Sequence, residues 1–191
     1  MSISQKLKTE LTLANFISIL RPIILIYLLL TFKEEPEFLA LMIVLIILLD
    51  ALDGIVARHM KKKSKHGAMI DILADRAVEL IILFVYAKWG LISYIFPLVF
   101  AVRGLLTDVL RILNNIYKDN QFKEPLSIGK ADKRFMRGFY GFIKLAAFSI
   151  ILINKEIGLV LMLIALILNL YRGLPVIFSK RSKYLVKKLL S

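Results

Sequence analysis

The stretch LLDALDGIVARHMKKKSKHGAMIDILADRA, residues 48–77, places four aspartates among leucines, isoleucines and a valine. They are Asp50, Asp53, Asp71 and Asp75. Each lies in or beside an apolar run, where an unpaired carboxylate would lose its hydration at a high cost in free energy. A basic loop in the middle separates two apolar segments, which predicts a helix on either side of it. Both the fold and the function depend on what these aspartates do.

The composition of the chain is typical of an integral membrane protein. Of the 191 residues, 59% are hydrophobic, whereas soluble domains have about half. Several apolar runs approach the ~20 residues that are needed to cross a hydrocarbon core. The chain has no cysteine, which excludes disulfides, thiol catalysis and thiolate metal sites. Its start lacks an apolar stretch before a small-residue cleavage site, so we expect no cleavable signal peptide.

Hydropathy divides the chain into six apolar segments, each predicted to form a transmembrane helix. Before them, residues 1–13 alternate leucines with charged residues, which predicts an amphipathic helix on the membrane surface. After them, residues 179–191 are predicted to form a basic cytoplasmic tail. No repeat or linker separates a second domain, so we expect one all-α domain with a six-helix bundle over residues 14–178. The six segments are 14–32, 38–57, 68–88, 91–113, 135–153 and 156–178.

Lysine and arginine are distributed unevenly between the two ends of the predicted helices. The N-terminal segment, the loops after the second and fourth segments and the C-terminal tail are strongly basic, whereas the other side carries Lys33, Lys88 and Lys155. The positive-inside rule therefore predicts that both termini face the cytoplasm. A formal charge of +13 also occurs in nucleic-acid-binding proteins, but here the charges lie where membrane topology requires them, so we expect no nucleic-acid partner. Such loops attract anionic lipid head groups.

The spacing of the aspartates predicts one acidic cluster near the cytoplasmic surface. The first two are three residues apart and the last two are four apart, so each pair lies on one face of its helix. A short loop joins the two helices, which makes them antiparallel neighbours and brings the pairs together. Four carboxylates in one apolar cleft repel each other unless cations neutralise them, and carboxylate oxygens favour Mg²⁺ or Mn²⁺. The alternative is that each aspartate pairs with an arginine such as Arg76 or Arg103.

The same stretch resembles the signature of the CDP-alcohol phosphotransferase (CDP-alcohol phosphatidyltransferase) family. Eight fixed positions over 26 residues match in residue type and spacing, and the six-helix layout extends the resemblance over nearly the whole chain. Besides the four aspartates, the matching positions are Gly54, Ala57, Arg58 and Gly67. The family transfers a phosphatidyl-type group from a CDP-linked lipid, such as CDP-diacylglycerol or CDP-archaeol, to a small alcohol and releases CMP. The resemblance therefore implies a membrane-embedded enzyme of phospholipid biosynthesis.

The resemblance also implies roles for particular residues. In proteins similar to this one, the four aspartates hold two divalent ions, Mg²⁺ or Mn²⁺, on the pyrophosphate of the donor, and the fourth, Asp75, acts as the base. Small residues beside the aspartates leave room for a ligand to approach the backbone. Relatives are commonly dimers, so a homodimer is one expectation. The residues implied in binding the CDP-lipid are Asn15, Ser18, Gly54, Ala57, Arg58, Ser64 and Gly67.

Two arginines on the fourth segment, Arg103 and Arg111, predict that the acceptor alcohol carries a phosphate. They are eight residues apart, which places them on roughly one face of a helix, and Lys130 follows in the next loop. Arginine is well suited to forked recognition of phosphate. The pattern is similar to that of phosphatidylglycerophosphate synthases, which implies glycerol 3-phosphate as the acceptor, although Gly104, Asp108 and Ile112 depart from the residues usual there. The inositol-phosphate synthases of the same family are the alternative.

Other interpretations of the buried charges stay open at this point. Arg103 can pair with an aspartate, and Arg111 can be a cation that snorkels from the helix end. Arg76 and Glu79, one turn apart, are predicted to bridge each other, and Lys144 can reach the acceptor pocket. A cation transporter with an acidic ion site is the alternative from another class, but all four aspartates lie towards one side of the membrane. A non-catalytic scaffold would leave four buried acids unexplained.

Overall fold

A computed structural model describes residues 13–59, 65–116 and 134–190 of the chain. It describes the backbone alone for residues 13–17, 50–59, 65–71, 115, 116, 134, 137 and 190. Every regular element within the described ranges is a helix. The helices are α1 (Leu13–Thr31), α2 (Pro36–His59), α3 (Lys65–Lys88), α4 (Ile95–Ile116), α5 (Arg134–Ile153), α6 (Lys155–Ile177) and α7 (Lys180–Leu190).

The helix ends lie at residues that favour termination or capping. α2 begins at Pro36, whose restricted φ and missing N–H suit the first position of a helix. Between α3 and α4, Gly90 has φ +71°, a left-handed conformation that glycine adopts without a Cβ clash. α6 is capped by Asn154, whose side chain accepts a hydrogen bond from the Ile157 N–H at 3.1 Å. These signals keep the connections after α1, α3 and α5 short, so consecutive helices pack side by side.

The helices pack around a core of large apolar side chains. The most extensive contacts join α5 to α6, α1 to α3 and α2 to α5, while α4 packs against α6. Tyr86, Phe100 and Phe148 are buried, and the Tyr86 hydroxyl donates to the Phe148 backbone carbonyl. α5 and α6 approach closely at Gly158, where a Cβ atom would lie 2.2 Å from the Ile151 Cα. This approach is far inside van der Waals contact, so only glycine fits the packing of these two helices without displacing them.

The outer surface of the helices is apolar. Leu30 and Phe135, for example, are 75% and 77% exposed. A soluble protein rarely presents so much apolar surface to water, so this surface suits contact with lipid. α6 is the one helix of the described chain that is long and apolar enough to cross a membrane, and shorter apolar helical stretches cover Ser18–Thr31, Pro36–Leu49 and Gly138–Ile153. The six membrane crossings therefore stay a prediction.

The fourth helix begins later than the hydropathy predicts. The predicted segment starts at residue 91, but α4 starts at Ile95. The chain first turns at Gly90, and the Ser93 hydroxyl then accepts a hydrogen bond from the Ile95 N–H at 3.4 Å. Hydropathy cannot detect this turn, because the residues around it are as apolar as those of the helix.

The two ends of the chain were predicted as a surface helix and a basic tail. The predicted surface helix over residues 1–13 lies outside the described residues apart from Leu13. The predicted tail contains a helix, since α7 occupies most of it, packs against α4 and fully buries Leu185. The signal for α7 was present in the sequence, because Leu185 and Leu189 are four residues apart on a helix that is otherwise rich in lysine.

Candidate functional site

Asp75 lies on α3 beside a small cavity of about 80 Å³ that α1, α2, α3 and α5 enclose. The lining of the cavity includes Arg21, Asp75, Glu79 and Lys144. The Arg21 side chain is 7% exposed and its Nη1 lies 3.3 Å from Oδ1 of Asp75, whose side chain is 51% exposed. The ion pair therefore holds the Asp75 carboxylate beside the cavity while leaving it accessible to a ligand.

The predicted metal site extends beyond the described side chains. Asp50 and Asp53 lie on α2, and Asp71 lies on α3 one turn before Asp75. Both helices contribute to the wall of the cavity, so they face the same space. The side chains of the first three aspartates are not described, and the cluster of four stays a prediction. Among the side chains that the structure does describe, no three His, Cys, Asp or Glu are grouped to hold a metal ion.

Of the residues implied in donor binding, Ser18 has a described side chain. It is partly buried on α1, one turn before Arg21 and on the same side of the helix. Arg21 itself was not predicted as a site residue, although an arginine within an apolar helix is a recognisable signal of a functional position. The other implied donor residues lie outside the described side chains: Asn15, Gly54, Ala57, Arg58, Ser64 and Gly67.

Five charged side chains form a continuous series of ion pairs from the cavity to α4. Lys144 of α5 donates to Glu79 at 3.2 Å, and Arg76 donates to the same carboxylate from one turn earlier on α3. Arg76 also reaches Asp108 of α4, with its Nε 2.9 Å from Oδ2. Arg111 lies 3.6 Å from the other oxygen of Asp108. Both acids are buried, and each is shared by two cations.

These ion pairs confirm the predicted bridge between Arg76 and Glu79 and identify the partner of Lys144. Arg76 and Glu79 bridge each other as expected, whereas Lys144 donates to Glu79 and its reach to an acceptor pocket stays a prediction. Two of the three departures from the phosphatidylglycerophosphate synthase pattern, at Gly104 and Asp108, also have a structural explanation. Asp108 is the partner of Arg76. A Cβ atom on Gly104 would lie 3.1 Å from Nη1 of Arg76, so glycine leaves room for that side chain to reach α4.

Arg103 has no acid partner among the described side chains. The residue is 8% exposed, and its Nε is buried without a hydrogen-bond partner. The charged groups that act on it include three further cations, Arg76, Arg111 and Arg172. α6 makes room for the side chain at Gly173, where a Cβ atom would lie 2.1 Å from the Arg103 Nε. A buried guanidinium without a counter-charge is costly, so this position favours the binding of an anion.

Arg172 and Tyr140, close to Arg103, were not predicted as site residues. Arg172 of α6 lies over the ring of Tyr140 of α5, 4.9 Å from its centroid. The Tyr140 hydroxyl lies 3.3 Å from the side-chain oxygen of Asn169, which keeps the ring in place. Arg172 interrupts an apolar helix and carries the same signal as Arg21. Its proximity to Arg103 depends on how α4 and α6 pack, which helical periodicity alone does not determine.

The described site combines an accessible carboxylate, Asp75, with a region of excess positive charge. Among the described side chains there, five cations lie near two acids, and three of those cations pair with the acids while Arg103 pairs with neither. Such an arrangement can bind an anionic group and accept a proton. Lys130, the third residue predicted to bind the acceptor phosphate, lies outside the described residues. The cations are Arg76, Arg103, Arg111, Lys144 and Arg172, and the acids are Glu79 and Asp108.

Comparison with known proteins identifies the family. The sequence model of the CDP-alcohol phosphatidyltransferase family matches residues 11–171, which include α1 to α5 and most of α6. A search of the curated proteins finds no match to the chain. The matched residues contain both aspartate-bearing helices and the cationic region except Arg172. The chain therefore belongs to the CDP-alcohol phosphatidyltransferase family of membrane-embedded transferases in phospholipid synthesis.

Proposed function

We propose that the protein transfers a phosphatidyl-type group from a CDP-linked lipid to glycerol 3-phosphate and releases CMP. The observation that carries the acceptor assignment is the environment of Arg103, a buried guanidinium among cations with no acid partner in the described part of the chain. A phosphorylated acceptor supplies the missing negative charge. Free serine or ethanolamine has no phosphate and would leave the same guanidinium uncompensated.

In this proposal Arg103 binds the acceptor phosphate with help from Arg111 and Lys130. Arg111 is half-exposed and makes only a long 3.6 Å contact with Asp108, so its guanidinium can turn towards a stronger anion. Arg172 faces the same region and would add a second forked donor. Charge-assisted hydrogen bonds from these groups replace the hydration that the phosphate loses on entering the bundle.

The four aspartates hold the pyrophosphate of the donor through divalent ions in this proposal. The donor set suits the hard ions Mg²⁺ and Mn²⁺, because its ligands are carboxylate oxygens and the described member, Asp75, is accessible. Two such ions, when bound, would neutralise the phosphate charge that develops as CMP leaves. The proposed ligands are Asp50, Asp53, Asp71 and Asp75, and the proposed contacts to CDP are Asn15, Ser18, Gly54, Ala57, Arg58, Ser64 and Gly67.

Asp75 acts as the base in the proposed reaction. Its carboxylate accepts the proton of the acceptor hydroxyl, and the hydroxyl oxygen forms a bond to the lipid-linked phosphorus. The bond from this phosphorus to the bridging oxygen breaks, and that oxygen leaves with CMP. Arg21, 3.3 Å away, keeps the carboxylate oriented and separated from the apolar core. A base in this position typically contributes roughly 10²–10⁴-fold to the rate.

The proposal includes a membrane arrangement. Six helices would cross the membrane, and both termini and the site would face the cytoplasm. The basic loops at that end of the bundle support this orientation. A homodimer, the common state of relatives, is the expected assembly.

CMP release by the full chain in detergent tests the proposed function. The assay contains a CDP-lipid, Mg²⁺ and one of four acceptors: glycerol 3-phosphate, inositol phosphate, free inositol or serine. We expect the highest rate with glycerol 3-phosphate. A preference for inositol phosphate would keep phosphate recognition and change the alcohol, whereas a preference for free inositol or serine would contradict the role of Arg103. No release with any acceptor would contradict the activity itself.

A further inference from the structure

The last helix of the chain packs against the bundle and leaves a groove beside it. At the start of α7, the Ser179 hydroxyl accepts a hydrogen bond from the Ser182 N–H at 3.0 Å. Arg181 donates to the Asn114 side chain of α4 at 3.1 Å, and Leu185 is fully buried. α7 is therefore held at both its start and its centre, and the groove between it and α4 is a fixed feature of the fold.

The groove has the size and lining of a site for a hydrocarbon chain. It measures about 770 Å³, within the range of about 300–1,000 Å³ for ligand pockets. Along α4 it extends from Leu106 to Leu113, about 10 Å of helix axis. Ile177 of α6 and Val186 and Leu189 of α7 complete most of its apolar wall. An acyl chain lying along α4 would contact apolar side chains over this whole length.

The same groove has two cations in its lining. Lys183 and Lys187 are one turn apart on α7 and are exposed. No described carboxylate forms an ion pair with either lysine. We propose that this groove binds an anionic phospholipid of the membrane, with an acyl chain between α4 and α7 and its phosphate at Lys183 and Lys187.

The charge of the chain favours a phospholipid over a second copy of the protein. The chain carries a formal charge of +13, and docking another copy here would bring like charges together beside two lysines. The bound lipid is also distinct from the CDP-lipid donor. The groove is lined by α4, α6 and α7, whereas the residues proposed for the donor lie on α1, α2 and α3 and in the loop between the last two.

Fluorescence quenching by brominated lipids tests the proposal without any measurement of catalysis. Trp89 is the single tryptophan of the chain, so Trp89→Phe removes the background signal. Leu106→Trp then places a reporter in the groove. Leu105→Trp is the matched control, because Leu105 is similarly exposed on α4 but does not line the groove. Each protein is titrated in nanodiscs with phosphatidylglycerol or phosphatidylcholine brominated on the acyl chains.

We expect the groove reporter to be quenched at a mole fraction of phosphatidylglycerol about tenfold or more below that of phosphatidylcholine. The control reporter should respond alike to both lipids. Lys183→Gln with Lys187→Gln should remove the preference, by about 10- to 30-fold for two lysines at a membrane surface. Lys180→Gln with Lys188→Gln removes the same charge from α7 outside the groove and should keep the preference.

Four results would overturn the proposal. The groove reporter could respond equally to both lipids, or the Lys183 and Lys187 double variant could keep the preference. The Lys180 and Lys188 double variant could instead lose as much of the preference for phosphatidylglycerol as the Lys183 and Lys187 double variant does. That result would assign the preference to general surface charge. Quenching of the reporter by both lipids could also weaken as the protein concentration rises, which would place a second copy of the chain in the groove. An unchanged melting temperature of each variant would show that the lysine changes leave the fold unaltered.

Discussion

At Arg103, the burial of one guanidinium determines what the site can bind. A charged group that is 8% exposed has lost most of its hydration, and no described acid compensates it. Arg76, in contrast, has the carboxylates of Glu79 and Asp108 and is satisfied within the protein. The two arginines are neighbours, but only the first has a reason to recruit an anion from outside. Arg76 is therefore structural, and Arg103 is the proposed ligand-binding residue.

Arg103→Ala should raise the KM for glycerol 3-phosphate about 10- to 100-fold, because loss of one charged hydrogen bond costs roughly 1.5–3 kcal/mol. The KM for the CDP-lipid should stay unchanged, and Arg103→Lys should restore acceptor binding only in part, since lysine lacks the forked geometry. Steady-state CMP release with each substrate varied in turn measures both constants. The melting temperature of the ligand-free Arg103→Ala protein should not fall much, since no described ion pair is broken. An unchanged acceptor KM would exclude phosphate binding by Arg103.

Asp75→Asn should lower kcat by about 100-fold or more while donor affinity changes only modestly, because general base catalysis contributes roughly 10²–10⁴-fold. Single-turnover CMP release gives the chemical rate, and equilibrium binding of the CDP-lipid gives the affinity. Arg21→Gln serves as the comparison, since it removes the partner at 3.3 Å but keeps the carboxylate. It should lower the rate less than Asp75→Asn does. An Asp75→Asn protein that retains more than about a tenth of the rate would rule out this residue as the base.

The close approach of α5 and α6 positions much of the site at the scale of the helices. α5 carries Tyr140 and Lys144, and α6 carries Arg172 and the glycine that accommodates Arg103. The approach depends on Gly158, whose missing side chain lets the α5 backbone come within contact of α6. A wider separation here would move the cations of α5 and α6 away from α4.

Gly158→Ala should destabilise the protein by about 1–3 kcal/mol or more, because the new Cβ atom would lie 2.2 Å from the Ile151 Cα and the helices must separate. Gly141→Ala is the matched control, since a Cβ atom at that α5 position would meet no heavy atom within 4 Å. The control should be neutral or stabilise by about 0.4–1 kcal/mol, because alanine restricts the unfolded chain. Thermal unfolding in detergent measures both variants. Equal melting temperatures for the two variants would contradict the described packing of α5 against α6.

At the scale of the whole molecule, the enzyme depends on joining two oppositely charged regions. The proposed metal ligands of the donor site are acidic and lie on α2 and α3, while the proposed acceptor site is basic and includes α4 and α6. Arg21 and the small cavity beside Asp75 lie between them. In a medium of low dielectric constant, ligands or counter-ions lower the electrostatic free energy of each region, so occupancy of the two sites should stabilise the fold as well as permit the reaction.

Excess EDTA should abolish CMP release, and added Mg²⁺ or Mn²⁺ should restore it, if the four aspartates act through divalent ions. Asp50→Asn, Asp53→Asn and Asp71→Asn should each reduce turnover severely, because carboxylates are the proposed metal ligands. Glu156→Gln is the control, because it removes a carboxylate from the first turn of α6, a helix that carries none of the proposed metal ligands. Addition of Mg²⁺ should also raise the melting temperature of the wild-type protein and not that of the aspartate variants. Full activity in excess EDTA would exclude the metal-dependent mechanism.

The amino-acid sequence by itself determined the helical segments and the family signature. These are local properties: apolar runs predict helices, and the signature lies within 26 consecutive residues. It also predicted the contact between Arg76 and Glu79, because residues three apart on a helix are always neighbours. The metal cluster and the cytoplasmic orientation stay predictions from this same local pattern.

Only the tertiary structure decided which charges are compensated and which are not. Arg21 and Asp75 are 54 residues apart, and Arg76 and Asp108 are 32 apart, so their pairing depends on the rotation and packing of whole helices. The folding back of α7 onto α4 is equally a long-range outcome. Helical periodicity defines the faces of each helix but not which faces meet. For that reason the isolation of Arg103 from the described acids, on which the acceptor assignment rests, became visible only in the packed bundle.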